Sequence, residues 1–268
     1  MQLLLELWHF TEIVLNKIVF HSYWLGVMAI ELKNVEQLRK AIDAISSFIS
    51  EGNFRFSEKG ISFKAIDPSQ IVLVLFEMDK KVFEKYDIEP TFVGVDLVEL
   101  SKILSRSQPN DKLLLDLTDS EMKLSLQGPI NRSFSLPLID VSDTEVNIPK
   151  TNFDASIDIN ARIFKEALKD ASLFGSSVVL RVKDKQLFIE ARGSSGTLKS
   201  VAKQAKHVIV ESKAEVVSKY SLNFLQNIVR EADSEKKIRV ELKSDAPMRI
   251  SYKIGASPIE FHLAHMIL

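Results

Sequence analysis

Residues 60–78 read GISFKAIDPSQIVLVLFEM. Two apolar-rich runs flank Asp67-Pro68-Ser69, residues that favour a turn because Asp and Ser side chains bond nearby backbone and Pro presets its φ. Upstream, Phe54 and Phe56 alternate with polar residues before Glu58-Lys59-Gly60. The stretch therefore predicts successive short strands folding back on one another. Ile71 to Phe76 is an almost uncharged apolar run, and no catalytic residue stands near it.

Working outward, the same kind of unit recurs four times: a short amphipathic helix, then strands. NVEQLRKAIDAISSFIS predicts a helix capped by Asn34, with Gln37 as the reciprocal partner of a capping box. Its stripe is Val35, Leu38, Ile42, Ile45 and Ile49. DLVELSKILSR is capped by Asp96 and turns Leu97, Leu100, Ile103 and Leu104 inward. NARIFKEALKDAS is capped by Asn160 and turns Ile163, Phe164, Ala167, Leu168 and Ala171 inward. SLNFLQNIVREA turns Leu222, Leu225, Ile228 and Val229 inward. Hairpin turns are expected at Asp119-Ser120, Asp184-Lys185 and Asp245-Ala246-Pro247. Units one and three match in order, as do units two and four. The expectation is two similar domains of antiparallel sheets with short helices, an α+β fold. They span 28–138 and 151–268, with the polar connector 139–150 between them.

The 268 residues are globular in composition, 46% hydrophobic and 26% charged, so a core of ordinary size is available. A net charge of −1 gives no long-range attraction to nucleic acid; any basic surface must be local. The absence of Cys excludes disulfides, thiol catalysis and thiolate metal sites, and fits a cytoplasmic setting. Residues 1–27 are apolar and aromatic and carry both Trp residues. They lack the basic start of a signal peptide, and Glu6, Glu12, Asn16 and Lys17 interrupt any membrane span. They read as an extension translated from a start upstream of Met28.

No phosphate-binding G-x-x-x-x-G-K-[ST] loop and no G-x-S-x-G elbow occurs. Gly193-Ser194-Ser195-Gly196 reads as a turn. His262 and His265, three apart, lack a third ligand in sequence. The reading is therefore a protein without catalytic residues, cofactor or metal; an enzyme using the tail histidines is the weakest alternative.

From Met28 onward the chain resembles the sliding clamp family, the proliferating-cell-nuclear-antigen type of archaea and eukaryotes. Gly60 to Val74 is similar to the family's signature around an Asp-x-Ser turn; GVDLVELSKIL, YSLNFLQNIV, DAPMRISYKI and FHLAHMI match in the same order. The resemblance implies the DNA clamp fold: three subunits in a pseudo-sixfold ring, helices lining the hole and sheets outside. It also implies an apolar pocket that takes a short helical plug with aromatic anchors from DNA polymerase, flap endonuclease, DNA ligase and the clamp loader. Its residues here are Ile66, Asp67, Ile71, Val146, Ile148, Pro247, His262, Ala264 and His265. The double-stranded DNA face, nucleoid-associated and indifferent to base sequence, maps to Arg39, Lys40, Lys102, Arg106, Lys165, Lys169 and Arg230. Ser46, Leu173 and Asn223 stand where many members carry a basic residue or His. A clamp-fold scaffold that joins partners without encircling DNA is the second reading.

The same resemblance places the subunit interface on two edge strands, with Arg132, Phe134 and Leu136 on one and Leu198, Lys199 and Val201 on the other. The first edge carries Arg132 and no acid, the second Lys199 and Lys203 and no acid. Facing like charges destabilise a strand pair. A mixed ring with sister subunits is accordingly expected ahead of a homotrimer.

Overall fold

A computed structural model describes residues 28–142, 146–148 and 150–268; the extension expected at 1–27 lies outside the described residues. The first half runs β1 (Met28–Leu32), α1 (Val35–Ser46), β2 (Glu51–Ser57), β3 (Gly60–Ile66), β4 (Val72–Asp79), β5 (Lys85–Asp87), β6 (Thr91–Asp96), α2 (Leu97–Leu104), β7 (Lys112–Leu117), β8 (Glu121–Gln127) and β9 (Arg132–Pro137). The second half repeats the order: β10 (Ala155–Asn160), α3 (Ala161–Ser172), β11 (Ser177–Lys183), β12 (Gln186–Gly193), β13 (Gly196–Lys203), β14 (Val208–Ser212), β15 (Val216–Ser221), α4 (Leu222–Val229), β16 (Lys237–Leu242), β17 (Met248–Ile254) and β18 (Ser257–Leu263).

The sheets repeat as well. β5-β1-β7-β8-β9 in the first half corresponds to β14-β10-β16-β17-β18 in the second. β4-β3-β2-β6 corresponds to β13-β12-β11-β15. One asymmetry breaks the repeat. β18 pairs with β4, fusing two of these four sheets into a nine-stranded one that crosses both halves. Its register runs from Ile259↔Phe76 through Phe261↔Val74 to Leu263↔Val72.

The helices form where the apolar stripes require. Asn34, Asp96 and Asn160 each accept a backbone N–H at their helix start, and Ser221 makes no side-chain cap. Two expectations are corrected. Gln37 does not close a capping box; its Nε2 donates to Ser257 Oγ at 2.7 Å, tying α1 to the β17–β18 turn of the other half. Ile163 is exposed, because α3 buries Ala161, Phe164, Leu168 and Ala171, a stripe that leaves Ile163 on its flank. The turn at Asp184-Lys185 holds both residues at positive φ, the twist a two-residue hairpin needs.

The ends of the halves are also alike. After β9, Ile139 bridges Gly94 of β6; after β18, Met266 bridges Lys219 of β15. The start of the connector and the C-terminal tail are thus equivalent segments, each capping the edge of its own half's four-stranded sheet.

Candidate partner groove, DNA face and ring edges

The groove residues come from strand ends. Met248↔Leu263↔Val72 lie across three neighbouring strands, and Leu73 pairs with Ile66 on the fourth. Pro247, Ala264, Ile71 and Ile66 are therefore brought together at one end of the nine-stranded sheet. Ala264 N–H donates to the Ile71 carbonyl at 2.9 Å, locking tail to turn. Ile66 is 40% exposed and Ile148 of the connector 44%, so both offer apolar surface. Val146 is half-buried, and His265 is exposed beside Met266, Ile267 and Leu268.

Two groove residues do other work. Asp67 is buried, and its carboxylate accepts the backbone N–H groups of Ser69, Ile71 and Val72 at 2.5–3.0 Å. It builds the turn that presents Ile66 and Ile71 instead of meeting a partner. His262 is only 4% exposed; its Nε2 pairs with Glu260 Oε1 at 2.7 Å. The assignment of His262 to the open groove is corrected for that reason. The hydrogen bond from His262, then its charge and that of Arg249, hold the Glu260 carboxyl below its ordinary range against the effect of burial.

The helices are linked in one layer. Ser101 Oγ donates to Asp43 Oδ1 at 2.7 Å, joining α2 to α1. Lys165 Nζ donates to the carbonyls of Arg230 and Ala232, joining α3 to the end of α4. Arg230 Nη2 donates to Asp43 O at 3.1 Å and Ser47 Oγ at 2.6 Å, joining α4 to α1 across the two halves. Lys165 and Arg230 thus also serve as anchors within the chain. Burial lowers the Lys165 pKa, partly offset by Glu231 and Asp233.

The other cations on this face have acids beside them. Lys40 pairs with Glu36 at 2.8 Å, Lys102 with Glu99 at 2.6 Å, Lys169 with Glu166 at 2.7 Å and Arg39 with Asp43 at 3.0 Å. Arg106 is exposed, and its carbonyl accepts Arg132 Nη1. Glu36, Asp43, Glu99, Glu166 and Asp170 oppose Arg39, Lys40, Lys102, Arg162, Lys165 and Lys169, and α4 carries no charge. The four helices together carry +1.

At the edges, β9 and β13 end their sheets with no strand partner among the described residues. Phe134 and Leu198 are half-buried against the core, Leu136 is buried and Val201 is exposed. Two of the three edge cations are matched inside the chain. Arg132 forms an ion pair with Asp111, whose side chain is fully buried. Lys199 pairs with Glu190 at 3.5 Å and lies over the Phe188 ring. Arg132 and Lys199 thus have acids of their own chain beside them, while Lys203 is exposed, so the repulsion argument for a mixed ring is weakened.

Sequence reasoning missed the contacts between halves. Phe48 stacks on Phe224 of α4 at 6.0 Å and meets Phe261 of β18 edge-on at 5.9 Å. The signal was available: Phe48 and Phe174 each follow their helix by the same interval.

Comparison with known proteins agrees with this geometry. The family model described as "Proliferating cell nuclear antigen, N-terminal domain" matches residues 27–141, and its C-terminal counterpart matches 147–266. A DNA polymerase sliding clamp of Methanococcus vannielii is 32% identical over 241 residues, covering 87% of this chain and 97% of that protein. One from Methanothrix thermoacetophila is 34% identical over 223 residues, covering 82% and 91%. The crystal structure of PCNA from Thermococcus kodakaraensis superposes with a TM-score of 0.85 at 25% identity, covering 89% of this chain and all of that one.

Proposed function

The chain belongs to the proliferating cell nuclear antigen family and is a DNA sliding clamp subunit; from that premise we propose that three subunits close head to tail around duplex DNA and dock replication and repair enzymes. The observation that carries the ring is the inner joint. β18 and β4 pair inside the chain, while among the described residues their counterparts β9 and β13 have no strand partner on their outer edges. A contact between unlike edges repeats from subunit to subunit until rotation closes it. Six similar domains then alternate inner and outer joints. The proposed domains are 28–138 and 151–268, with the connector 139–150 between them.

The helix layer faces the DNA in this reading. Its near-neutral balance supports retention by topology over retention by charge. Lys40, Lys102 and Lys169 sit in exposed, solvent-screened pairs of little net worth. Such pairs exchange readily for phosphate, giving weak, salt-sensitive contact without sequence preference. The exposed Ile66 and Ile148, framed by Ile71, Pro247, Ala264 and His265, form the groove for a short apolar and aromatic peptide. Polymerase, flap endonuclease, ligase and clamp loader are the partners of that chemistry. The chain acts without chemistry of its own, in the cytoplasm on the nucleoid.

Loading onto nicked circular DNA with a clamp loader tests the reading. The ring is expected to remain bound in high salt until the circle is cut. Release that ignores DNA topology sinks the clamp and leaves the scaffold reading. In the same assay, Ile148→Ala rings should load normally yet capture a partner peptide with about 2 kcal/mol less affinity; unchanged capture removes the groove assignment.

A further inference from the structure

We infer that residues 1–17 of this chain fold back as a helix into the groove of Ile66 and Ile148 and cover it until a tighter-binding partner displaces them. The inference rests on the groove reading above and names the groove's resting occupant. Among the described residues, twelve large apolar side chains are exposed. Five of them stand at this groove or on the tail that lines it: Ile66, Ile148, Met266, Ile267 and Leu268. Contiguous exposed apolar surface marks a docking site.

The chain supplies a segment of matching chemistry. In residues 1–17, Gln2, Glu6, His9, Glu12 and Asn16 recur at steps of four, three, three and four. That spacing sets them along one side of a helix. Leu4, Leu7, Trp8, Val14 and Leu15 then fall on the other side, an aromatic anchor within an aliphatic stripe. A helix of this pattern is what an apolar groove receives.

The segment also enters the fold at the right place. Ile30↔Leu115↔Leu124↔Phe134 crosses the first five-stranded sheet and Ile157↔Val240↔Ile250↔Phe261 crosses the second, so the two rows correspond. Two residues along, Met28↔Leu117↔Met122↔Leu136 is the counterpart of the row holding Ala155↔Leu242 and Met248↔Leu263. Pro247 and Ala264 of the groove directly adjoin that second row. Met28 and the groove thus lie at the same end of equivalent sheets. Met28 is three strand spacings, about 14 Å, from Leu136, whose strand leads into the connector. The connector reaches Val146 of the groove ten residues after Leu136. Wound as a helix, residues 2–16 take up about 22 Å, and residues 17–27 extend to about 35 Å. A tether of that length holds the helix beside its groove at a millimolar-order effective concentration. Weakly binding partners are then excluded and strong ones admitted.

Both Trp residues of the chain, Trp8 and Trp24, lie in the extension, so Trp emission reports on it alone. In the full chain carrying Trp24→Phe, Trp8 should emit at shorter wavelength than in a free peptide of residues 1–17 and should resist iodide quenching. Adding Ile148→Asp should return it to the spectrum of the free peptide. A fluorescein-labelled synthetic peptide of residues 1–17 should bind the chain shortened to start at Met28. It should bind the full chain about tenfold or more weakly, because the tethered copy competes. Trp8→Asp in the peptide, or Ile148→Asp in the shortened chain, should abolish that binding. The shortened chain keeps every described element, and the family match begins at residue 27. Equal binding to full and shortened chains, or binding to neither, overturns the occupant. Protected Trp8 emission that ignores Ile148→Asp overturns the site. In each of these cases the groove reading stands if Ile148→Ala still weakens capture of a partner peptide, and falls with the inference if it does not. A chain isolated from its own cells that begins at Met28 by mass spectrometry overturns the inference and leaves the groove reading intact.

Discussion

Where β18 meets β4, the halves share a five-pair ladder, the aromatic contacts of Phe48 with Phe224 and Phe261, and the reach of Arg230 to Asp43 and Ser47. At β9 and β13 the strand edges offer the equivalent ladder, but the helices above them differ. Aligning the helix starts, the counterpart of Phe224 on α2 is Glu99; aligning the helix ends, the counterpart of Arg230 is Ser105. The edges β9 and β13 therefore have neither the second aromatic nor the guanidinium latch above them. A ring that must open to admit DNA gains from that inequality. In the proposed ring, the joint between subunits is then the weaker one, while the inner joint holds each subunit as one body. The lesson is that duplicated topology conserves strand pairing and leaves side chains to grade the strength of each joint.

The largest expected effect separates a residue at the outer joint from a residue of the outer joint. Arg132 begins β9, yet its guanidinium serves the buried Asp111 and the Arg106 carbonyl of its own chain. Arg132→Ala leaves a carboxylate buried without its counter-charge, a loss of about 3–5 kcal/mol. Denaturant unfolding of the chain should record it. If instead only the trimer weakens and the subunit's own stability is unchanged, Arg132 belongs to the neighbour and the comparison fails there.

A smaller effect measures the inner joint itself. Phe48→Ala removes a half-buried ring that touches both α4 and β18. The expected cost is about 2–3 kcal/mol, below that of a fully buried Phe. Because the ring bridges the halves, calorimetry should resolve the variant's melt into two transitions where the wild type has one. One transition with an unchanged midpoint would mean that the ladder alone couples the halves, making the two joints equal after all.

The duplicated order of helices and strands was legible because it rests on local signals. Asn34, Asp96 and Asn160 announce helix starts, and apolar stripes at three- and four-residue steps name the buried faces. Turn residues such as Asp184-Lys185 set the hairpins. The strand-end residues Ile66, Ile71, Pro247 and Ala264 come to one end of the nine-stranded sheet, since register carries them there. What sequence could not give was the use of each charge. Arg132, Lys165 and Arg230 look alike as surface cations; their partners are Asp111, two carbonyls at the end of α4, and α1 of the other half. These lie 21 to 187 residues away, beyond any periodic pattern. His262 failed likewise, because a strand end that looks exposed in sequence is covered in the folded chain.

The smallest effect is a difference in acid response between the joints. On β18, Glu260 lies between His262 and Arg249, and its carboxyl titrates below its ordinary value of 4.5, chiefly through the His262 hydrogen bond. A depressed acid contributes its stabilisation fully above the unfolded value. The contribution is lost as pH falls through the lower, folded value. The counterparts of Glu260 and His262 on β9 are Ser133 and Ser135, which do not titrate in this range. Acidification from pH 6 toward pH 3 should therefore weaken the inner joint through a group the outer joint lacks. Other carboxylates titrate over the same interval, so the reading is the difference between the wild type and Glu260→Gln, in which the amide still accepts from His262. The variant's thermal midpoint should fall less steeply below pH 4.5, by an amount worth less than about 1 kcal/mol for this partly exposed pair. The concentration at which the trimer half-dissociates should show the same pH dependence with and without the change. If Glu260→Gln alters the trimer's pH response as much as the subunit's melting, the acid pair spans both joints, and the inner joint is not the one it sustains.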